Sequence, residues 1–305
     1  MNELKKNFMY NVIYQILILI IPFITTPYVS RILHPEGVGI YSYTYSIVYY
    51  FMLVAMLGLN KYGNRKIAQV KDNKEKLSKT FKEIYIMQLL ISIIMVIIYL
   101  IYVFLFEKKY TDIALLQSLY VVSCMFDINW FFFGLEQFKF TVTRNTIIKI
   151  LNLFLIFIFV KNENDVWIYT LILSGCTLLS QLLLWPFVRK FVNNVPITFS
   201  GIKKHFKPNL ILFLPVIAVA VYRMMDKTMI GIFSDMKEVG IYESAEKVIN
   251  MPIAIITALG TVMLPRTSNM YANGLKEEGK TLIKKSLKFT MFLSFAMMFR
   301  NYCNK

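Results

Sequence analysis

The sequence predicts an all-α, polytopic helical membrane protein with about nine transmembrane helices. Hydrophobic residues make up 57% of its 305 residues, and the mean hydropathy is +0.54. Apolar stretches of roughly 20 residues, the length that crosses a bilayer as a helix, recur from one end of the chain to the other. Positively charged residues are concentrated in alternate connections between these stretches. A soluble globular fold is therefore not expected.

The predicted helices follow one another with short polar connections, and none of these is long enough to form a soluble domain. The helices cover residues 8–30, 39–60, 84–106, 113–135, 141–160, 166–187, 209–233, 240–264 and 286–302. The first stretch is longer than the core of a signal peptide and lacks a small-residue cleavage site. We therefore expect it to be retained as a helix. The last stretch is the weakest, because it turns polar early.

The distribution of positive charge predicts the orientation of the chain. The net charge is +16. Lys and Arg are concentrated at the amino terminus and in every second connection, and Lys139 and Arg144 are counted with the loop before the fifth predicted helix. The opposite connections contain only Arg31, Lys108, Lys109, Lys161 and Lys237. Because cytoplasmic loops carry the excess of Lys and Arg, the amino terminus is expected in the cytoplasm. The same rule explains the positive charge without a nucleic-acid partner.

The sequence contains no pattern typical of an enzyme or of a cofactor site. Cys124 and Cys176 lie in predicted helices and Cys303 lies in the tail, so no disulfide framework is expected. His34 and His205 fall in connections on opposite sides of the membrane and are not expected to share a metal ion. The sequence has no glycine-rich phosphate loop, zinc-protease motif or nucleophile elbow. We therefore expect a protein that is neither an enzyme nor ATP-driven and that uses no cofactor.

Two parts of the chain resemble each other in order and spacing. Lys5-Lys6-Asn7-Phe8 recurs as Lys203-Lys204-His205-Phe206, and Val38-Gly39-Ile40-Tyr41 recurs as Val239-Gly240-Ile241-Tyr242. Because six predicted helices separate the copies, both begin on the same side of the membrane, which indicates a parallel repeat. The first lobe covers 1–195 with helices one to six. The second covers 196–305 with helices seven to nine, and its incompleteness indicates a truncated copy of a longer protein.

Three stretches of the sequence resemble motifs of a known family. They are Arg31–Tyr41 (RILHPEGVGIY), Gly58–Ala68 (GLNKYGNRKIA) and Tyr222–Gly231 (YRMMDKTMIG). Together they resemble the oligosaccharide flippases of the multidrug/oligosaccharidyl-lipid/polysaccharide exporter superfamily, and the resemblance runs along the whole chain. It implies a transporter in the bacterial inner membrane that flips undecaprenyl-diphosphate-linked oligosaccharide repeat units by alternating access, for capsule, O-antigen or exopolysaccharide synthesis. It also implies contact with membrane lipids, and it leaves open a coupling cation and a polysaccharide polymerase complex as partners.

The seventh predicted helix carries charges inside an apolar stretch. Arg223, Asp226 and Lys227 lie at positions i, i+3 and i+4, within the stretch Asn209–Phe233. Residues at this spacing are neighbours on the surface of a helix. A charge at the centre of a bilayer costs at least ~2.5–3.5 kcal/mol, and such residues usually face a partner or a polar cavity. This charged turn is therefore the strongest candidate for a functional site.

The next predicted helix runs antiparallel and carries charges at a matching depth, so we expect the two charged turns to pair. These charges are Glu243, Glu246 and Lys247. Because the implied substrate carries a diphosphate, basic residues inside the membrane are the expected substrate-binding groups, namely Arg223, Lys227 and Lys149 of the fifth predicted helix. The groups expected to balance charge or couple an ion are Asp226, Glu243, Glu246, Lys247 and Asp127 of the fourth predicted helix.

Each assignment has a structural alternative. Arg223 and Asp226 can form an ion pair that only locks two helices together. Lys149 can extend along its own aliphatic stem to the membrane surface, and Asp127 can make a hydrogen bond between helices. Stripes of polar residues on helices five and six more often join helices than bind ligands. These stripes are Asn145, Lys149 and Asn152, and Ser174, Thr177 and Gln181.

Three functions compete with a flippase. A drug exporter coupled to a cation, from the same superfamily, would favour acidic residues over the mixed, net basic set present here. A membrane glycosyltransferase or sugar polymerase would carry a sizeable outer loop with catalytic residues, whereas the predicted outer loops contain only a few residues. A nonfunctional, truncated remnant is the remaining alternative.

Overall fold

The computed structural model describes residues 21–250, 253, 267, 270 and 276–303. Within these residues the chain is helical and contains no strand. The helices are α1 (21–32), α2 (His34–Met56), α3 (Leu59–Val70), α4 (Lys74–Leu105), α5 (Thr111–Phe126), α6 (Asn129–Gly134), α7 (Phe138–Phe159), α8 (Val166–Leu182), α9 (Trp185–Val188), α10 (Phe199–Phe233), α11 (236–250) and α12 (Lys276–Cys303). A short 3₁₀ turn, Glu163–Asp165, precedes α8.

The described part of the chain contains six helices or helix pairs that are long and apolar enough to cross a membrane. They are His34–Val70, Lys74–Leu105, Thr111–Gly134, Phe138–Phe159, Val166–Val188 and Phe199–Phe233. These correspond to predicted helices two to seven, so the all-α, polytopic architecture is confirmed. Most of the first predicted helix, 8–30, and the second half of the eighth, 240–264, lie outside the described residues. The ninth falls within α12, which is not among the six spans. The count of nine therefore stays a prediction.

Local breaks divide the long apolar stretches into shorter helices. Three residues other than glycine have a positive φ, namely His34 at 54°, Leu57 at 44° and Glu136 at 59°. They lie at the boundaries α1–α2, α2–α3 and α6–α7, because a helix cannot continue through a left-handed residue. Glu136 also accepts a hydrogen bond of 2.9 Å from Lys71, which raises the pKa of that lysine. This pair joins the α3–α4 and α6–α7 connections.

The core of the first lobe is aromatic at one end. Trp130, Phe131 and Phe132 of α6 are fully buried and pack with residues of α3, α4 and α5. The indole nitrogen of Trp130 donates to Gln88 Oε1 at 2.9 Å, and Gln88 Nε2 donates to the carbonyl oxygens of Cys124 and Asp127. A buried polar group costs free energy unless it is hydrogen-bonded. These bonds provide partners for the buried polar groups of Gln88 and Trp130 where α4, α5 and α6 meet.

Helix α10 lies against helices that precede it in the chain. This helix packs against α2, α3 and α4, and its residues Phe213 and Ala220 are buried against Leu53 and Leu57. Its other face is exposed and apolar, as expected of a helix that faces lipid or further helices. The amino end of α10 therefore lies near α3 and α4, and its carboxyl end lies near the start of α2 and α11.

Candidate functional site: the two ends of α10

Near the carboxyl end of α10, Lys227 is the centre of a buried ion cluster. Its side chain is 9% exposed, and its Nζ atom lies 2.5 Å from Glu243 Oε2 and 2.8 Å from Glu246 Oε2. Glu243 also pairs with Lys247 at 3.1 Å, one turn further along α11. The contact expected between the charged turns of the seventh and eighth predicted helices is therefore present. The cluster contains two cations and two carboxylates, which balance each other in an apolar environment.

The other two charges of the turn point elsewhere. Arg223 and Asp226 are exposed, and the carboxylate of Asp226 accepts a hydrogen bond of 2.6 Å from the hydroxyl of Tyr242. Successive residues of an α-helix are separated by about 100°, so Asp226 and Lys227 cannot share a direction. The ion pairs among the described residues do not include Arg223 with Asp226. The turn thus combines one buried lysine with an exposed arginine.

The same end of α10 touches the first lobe through small and uncharged groups. Ser46 Oγ of α2 and Thr228 Oγ1 of α10 share a hydrogen bond of 2.8 Å, and Ser30 and Ser244 lie 3.4 Å apart. Gly231 lies against the ring of Tyr43, where an added Cβ atom would approach the ring to 2.1 Å. The buried ion cluster therefore lies beside the contact of α10 and α11 with α1 and α2.

Two glycines bring the backbones of α2 and α11 into close contact. A Cβ atom added to Gly39 would lie 1.6 Å from the carbonyl oxygen of Met236, and one added to Gly240 would lie 1.8 Å from the carbonyl oxygen of Pro35. Only glycine allows this backbone-to-backbone approach. Gly39 and Gly240 are also matching residues of the repeated Val-Gly-Ile-Tyr motif. The sequence predicts their equivalence, and the structure brings them together.

A second charged cluster lies at the amino end of α10, and the sequence analysis missed it. Glu83 of α4 has a fully buried side chain, and its Oε2 lies 2.9 Å from Lys204 Nζ and 3.1 Å from His205 Nε2. His205 Nδ1 lies 2.6 Å from the hydroxyl of Tyr62 in α3. If Nε2–H donates to the carboxylate, Nδ1 accepts from Tyr62, and a neutral imidazole satisfies both contacts. The cluster joins α3 and α4 of the first lobe to α10 of the second.

The reason for this omission is local. The sequence pattern places Lys204 and His205 in a loop, which is wrong, since both lie in the first turns of α10. Glu83 lies one residue before the predicted helix 84–106, in a connection that is rich in lysine. The sequence pattern alone does not distinguish it from a solvent-exposed loop residue. The available signal was an acidic residue at the edge of an apolar stretch, opposite a histidine on the same side of the membrane.

Arg144 is a further buried charge that the sequence analysis counted with a loop, and that placement is wrong. It lies in α7 with 7% of its surface exposed. Its guanidinium donates to Asn129 Oδ1 at 2.8 Å, Gln181 Oε1 at 3.0 Å and the Ser180 carbonyl oxygen at 3.0 Å. These partners come from α6 and α8, so Arg144 joins three helices of the first lobe.

Asp127, an expected ion-coupling residue, lies next to this network. One of its carboxylate oxygens accepts hydrogen bonds from the backbone and side-chain nitrogens of Asn129 at 2.9 and 2.7 Å. It follows the last residue of α5 and thus helps to form the turn into α6. This geometry is that of the structural alternative, a hydrogen bond that joins two helical elements.

Lys149, the expected basic contribution of the first lobe, is half-buried in α7. Among the residues that the structure describes, no hydrogen bond or ion pair joins it to the charged turn of α10. Its neighbour one turn on, Asn152, has a buried side-chain oxygen without a hydrogen-bond partner there. The described residues also contain no group of His, Cys, Asp and Glu that could hold a metal ion. The structure therefore brings together the charges of α10 and α11 but leaves Lys149 apart.

Comparison with known proteins places the chain in a family. The model of the family described as polysaccharide biosynthesis protein matches residues 4–271. The chain belongs to this family. A putative O-antigen transporter of Escherichia coli (strain K12) is 24% identical over 291 residues, which cover 93% of the chain and 69% of that relative. A putative O-antigen transporter of Shigella dysenteriae is 25% identical over 263 residues, covering 84% of the chain and 66% of that relative. No solved structure matches this polysaccharide biosynthesis family member significantly.

Proposed function

We propose that the protein is a flippase of polysaccharide biosynthesis. In this proposal it moves undecaprenyl-diphosphate-linked oligosaccharide repeat units across the bacterial inner membrane by alternating access, for O-antigen, capsule or exopolysaccharide synthesis. The family and the names of two relatives support a transporter rather than an enzyme. The multi-pass helical fold agrees with this class.

The proposal includes two lobes, 1–195 and 196–305, related by a parallel repeat, with the amino terminus in the cytoplasm. The contact between the matching glycines, Gly39 and Gly240, supports the repeat. Equivalent residues of a parallel repeat can touch only near its pseudo-two-fold axis, and in such transporters that axis runs along the membrane normal between the lobes. In this proposal the two lobes meet at the contact between these glycines.

The observation that carries the proposal is the buried ion cluster beside this lobe interface. Charged residues inside a membrane are retained mainly for function or pairing. In the proposed mechanism Arg223, Lys227 and Lys149 attract the diphosphate. Arg223 is exposed, and it and Lys149 have no ion pair among the described residues, so their charges are available. Lys227 is held by two carboxylates, so a diphosphate would have to compete with them.

The acidic residues have the complementary role in this proposal. Glu243 and Glu246 hold Lys227 when no substrate is bound, and Lys247 holds Glu243. When the diphosphate takes over Lys227, these carboxylates become available to a coupling proton or cation. Asp226 and Asp127 remain further candidates for charge balance. A polysaccharide polymerase complex is a proposed partner of the exported repeat units.

A cation-coupled drug exporter is the second candidate, and the carboxylates of Glu243 and Glu246 are the observation that favours it. A cationic drug would bind best to a net acidic site. Because Lys227 and Lys247 neutralise both carboxylates, the cluster has no net negative charge with which to attract a cationic drug.

The test uses a source strain in which the gene is deleted and complemented by the natural gene or by Arg223→Ala. Loss of Arg223 should reduce the outer-leaflet amount of lipid-linked repeat units by about tenfold or more, which corresponds to ~1.4 kcal/mol of lost interaction. Lys237→Ala, which removes an exposed basic residue in the first turn of α11, is the matched control and should export normally. Normal export in Arg223→Ala would contradict the assigned role, and efflux of a cationic dye by the natural protein would support the drug exporter.

A further inference from the structure

A pocket of about 710 Å³ lies on the surface of the first lobe, away from the lobe interface. It lies between the first turns of α4 and the segment that runs from the end of α8 through α9. The residues that matter for its chemistry are Lys82, Tyr85, Leu182, Trp185, Arg189 and Asn194. None of them belongs to the ion clusters at the two ends of α10.

The pocket has a polar end and an apolar end. Helix α4 runs from Lys82 towards Tyr85, whereas the opposite wall runs from Leu182 through Trp185 to Arg189. Because the two walls are antiparallel, both basic residues share one end and the aromatic and aliphatic residues share the other. The rings of Tyr85 and Trp185 lie 4.7 Å apart, edge to face. Trp and Tyr are enriched where the hydrocarbon core meets the headgroups, and this pair therefore favours a position of the pocket at that boundary.

The polar end is basic and lacks a counter-charge. No carboxylate lines the pocket, and the ion pairs of the described residues involve neither Lys82 nor Arg189. Lys82 is positioned by hydrogen bonds to Asn194 Oδ1 at 2.5 Å and to the Val195 carbonyl oxygen at 3.2 Å. Arg189 is exposed, and its planar guanidinium suits bidentate binding of a phosphate. Elsewhere on this side, Lys71 and Lys204 are paired with glutamates.

We propose that this pocket binds the phosphate headgroup of an anionic membrane lipid. The phosphate lies between Lys82 and Arg189, and the first methylenes of the lipid chain lie against Tyr85, Trp185 and Leu182. Basic pockets between transmembrane helices at the membrane surface bind such headgroups. The proposal does not depend on the transport function or on the orientation of the chain. The phosphate can come from a phospholipid or from an isoprenoid phosphate, and the experiment separates these sources.

The experiment uses the fluorescence of Trp185 in the full chain, reconstituted in phosphatidylcholine vesicles. Trp167→Phe leaves Trp185, which is partly buried and lines the pocket, as the tryptophan that lipid can reach, since Trp130 is fully buried. Brominated phosphatidylglycerol should quench the tryptophan fluorescence of this protein at about fivefold lower mole fraction than brominated phosphatidylcholine. This factor corresponds to the attraction of about 1 kcal/mol between one basic residue and an anionic lipid. The control is Trp185→Phe, which retains Trp167 near the opposite membrane surface. Both brominated lipids should quench this variant equally, which shows that the protein is inserted in the membrane and that the preference belongs to the pocket.

Substitutions then assign the preference to the pocket. Arg189→Gln should bring the two lipids to nearly equal quenching, whereas Lys139→Gln, an exposed lysine at the start of α7, should keep the fivefold difference. Equal quenching of the Trp167→Phe protein by both lipids would overturn the proposal. If Lys139→Gln lost the fivefold difference in quenching as completely as Arg189→Gln, the proposal would also be overturned, because the attraction would then come from the basic surface in general.

Competition identifies the source of the phosphate. Excess unbrominated undecaprenyl phosphate restores the fluorescence if the pocket takes an isoprenoid phosphate. Recovery with unbrominated phosphatidylglycerol alone identifies a phospholipid site. Recovery with neither lipid would show that quenching does not reflect a saturable site, which would contradict the proposal.

Discussion

The two ends of α10 meet the first lobe by different means. At the amino end a fully buried carboxylate, Glu83, reaches from α4 to Lys204 and His205. At the carboxyl end the charges of Lys227, Glu243 and Glu246 bind one another within the second lobe. There the contact with the first lobe is made by glycine backbone and hydroxyl groups.

For the proposed alternating access, this difference means that the two ends would open at different energetic costs. Separating a buried ion pair leaves uncompensated charges unless water enters at the same time. Separating two glycine backbones loses only van der Waals contact and a few hydrogen bonds. The amino end is therefore sensitive to charge, whereas the carboxyl end is sensitive to side-chain volume. The following substitutions test this contrast.

The largest effect is expected for Glu83→Ala. It leaves buried His205 with one partner fewer and Lys204 without its carboxylate, and removal of one member of a buried pair costs about 3 kcal/mol. Unfolding of the purified protein should show this loss of stability. Glu75→Gln, an exposed glutamate in the first turn of the same helix, is the control and should change stability by less than about 0.5 kcal/mol. Equal free energies of unfolding for Glu83→Ala and Glu75→Gln would show that the amino end of α10 does not depend on the buried charge.

A smaller effect is expected for Gly39→Ala and Gly240→Ala, which force apart the α2 and α11 backbones. Overpacking of this kind costs about 1–3 kcal/mol. A cysteine at Ser234, beside the interface, should react faster with a membrane-impermeant maleimide in either variant. Gly175→Ala is the matched control, because nothing lies within 4 Å of its added Cβ atom. Unchanged labelling of the interface variants would show that the contact does not close this end.

The smallest effect on stability is expected for Lys227→Met. Glu243 keeps Lys247 as a partner and Glu246 is partly exposed, so the loss should be about 1 kcal/mol. Export should nevertheless fall, because the variant removes a proposed diphosphate-binding group. Unfolding measurements and the export assay used for Arg223→Ala separate the two effects. A loss of stability as large as that of Glu83→Ala, without loss of export, would make the cluster purely structural.

The sequence was sufficient for the features that depend on neighbouring residues. Apolar stretches of bilayer length predict the helices, and the antiparallel order of α10 and α11 predicts that Lys227 meets Glu243. It was not sufficient for the contacts of Glu83 with His205 and of Arg144 with Gln181, which join distant helices. A hydropathy pattern shows where a charge lies along a helix, but packing between helices determines which partner it reaches. The sequence pattern places Lys204 and His205 in a loop because α10 begins ten residues before the apolar stretch 209–233.

Under the proposed parallel repeat, the contact between Gly39 and Gly240 has the form of an isologous interface, in which the same surface patch is used by both partners. In a dimer of half-length chains this interface would form only at sufficient protein concentration. Joining the halves in one polypeptide replaces that requirement with a fixed effective concentration. Each copy of the motif is then free to change separately, so charge could accumulate in α10 and α11 while the equivalent turns of the first lobe stayed neutral.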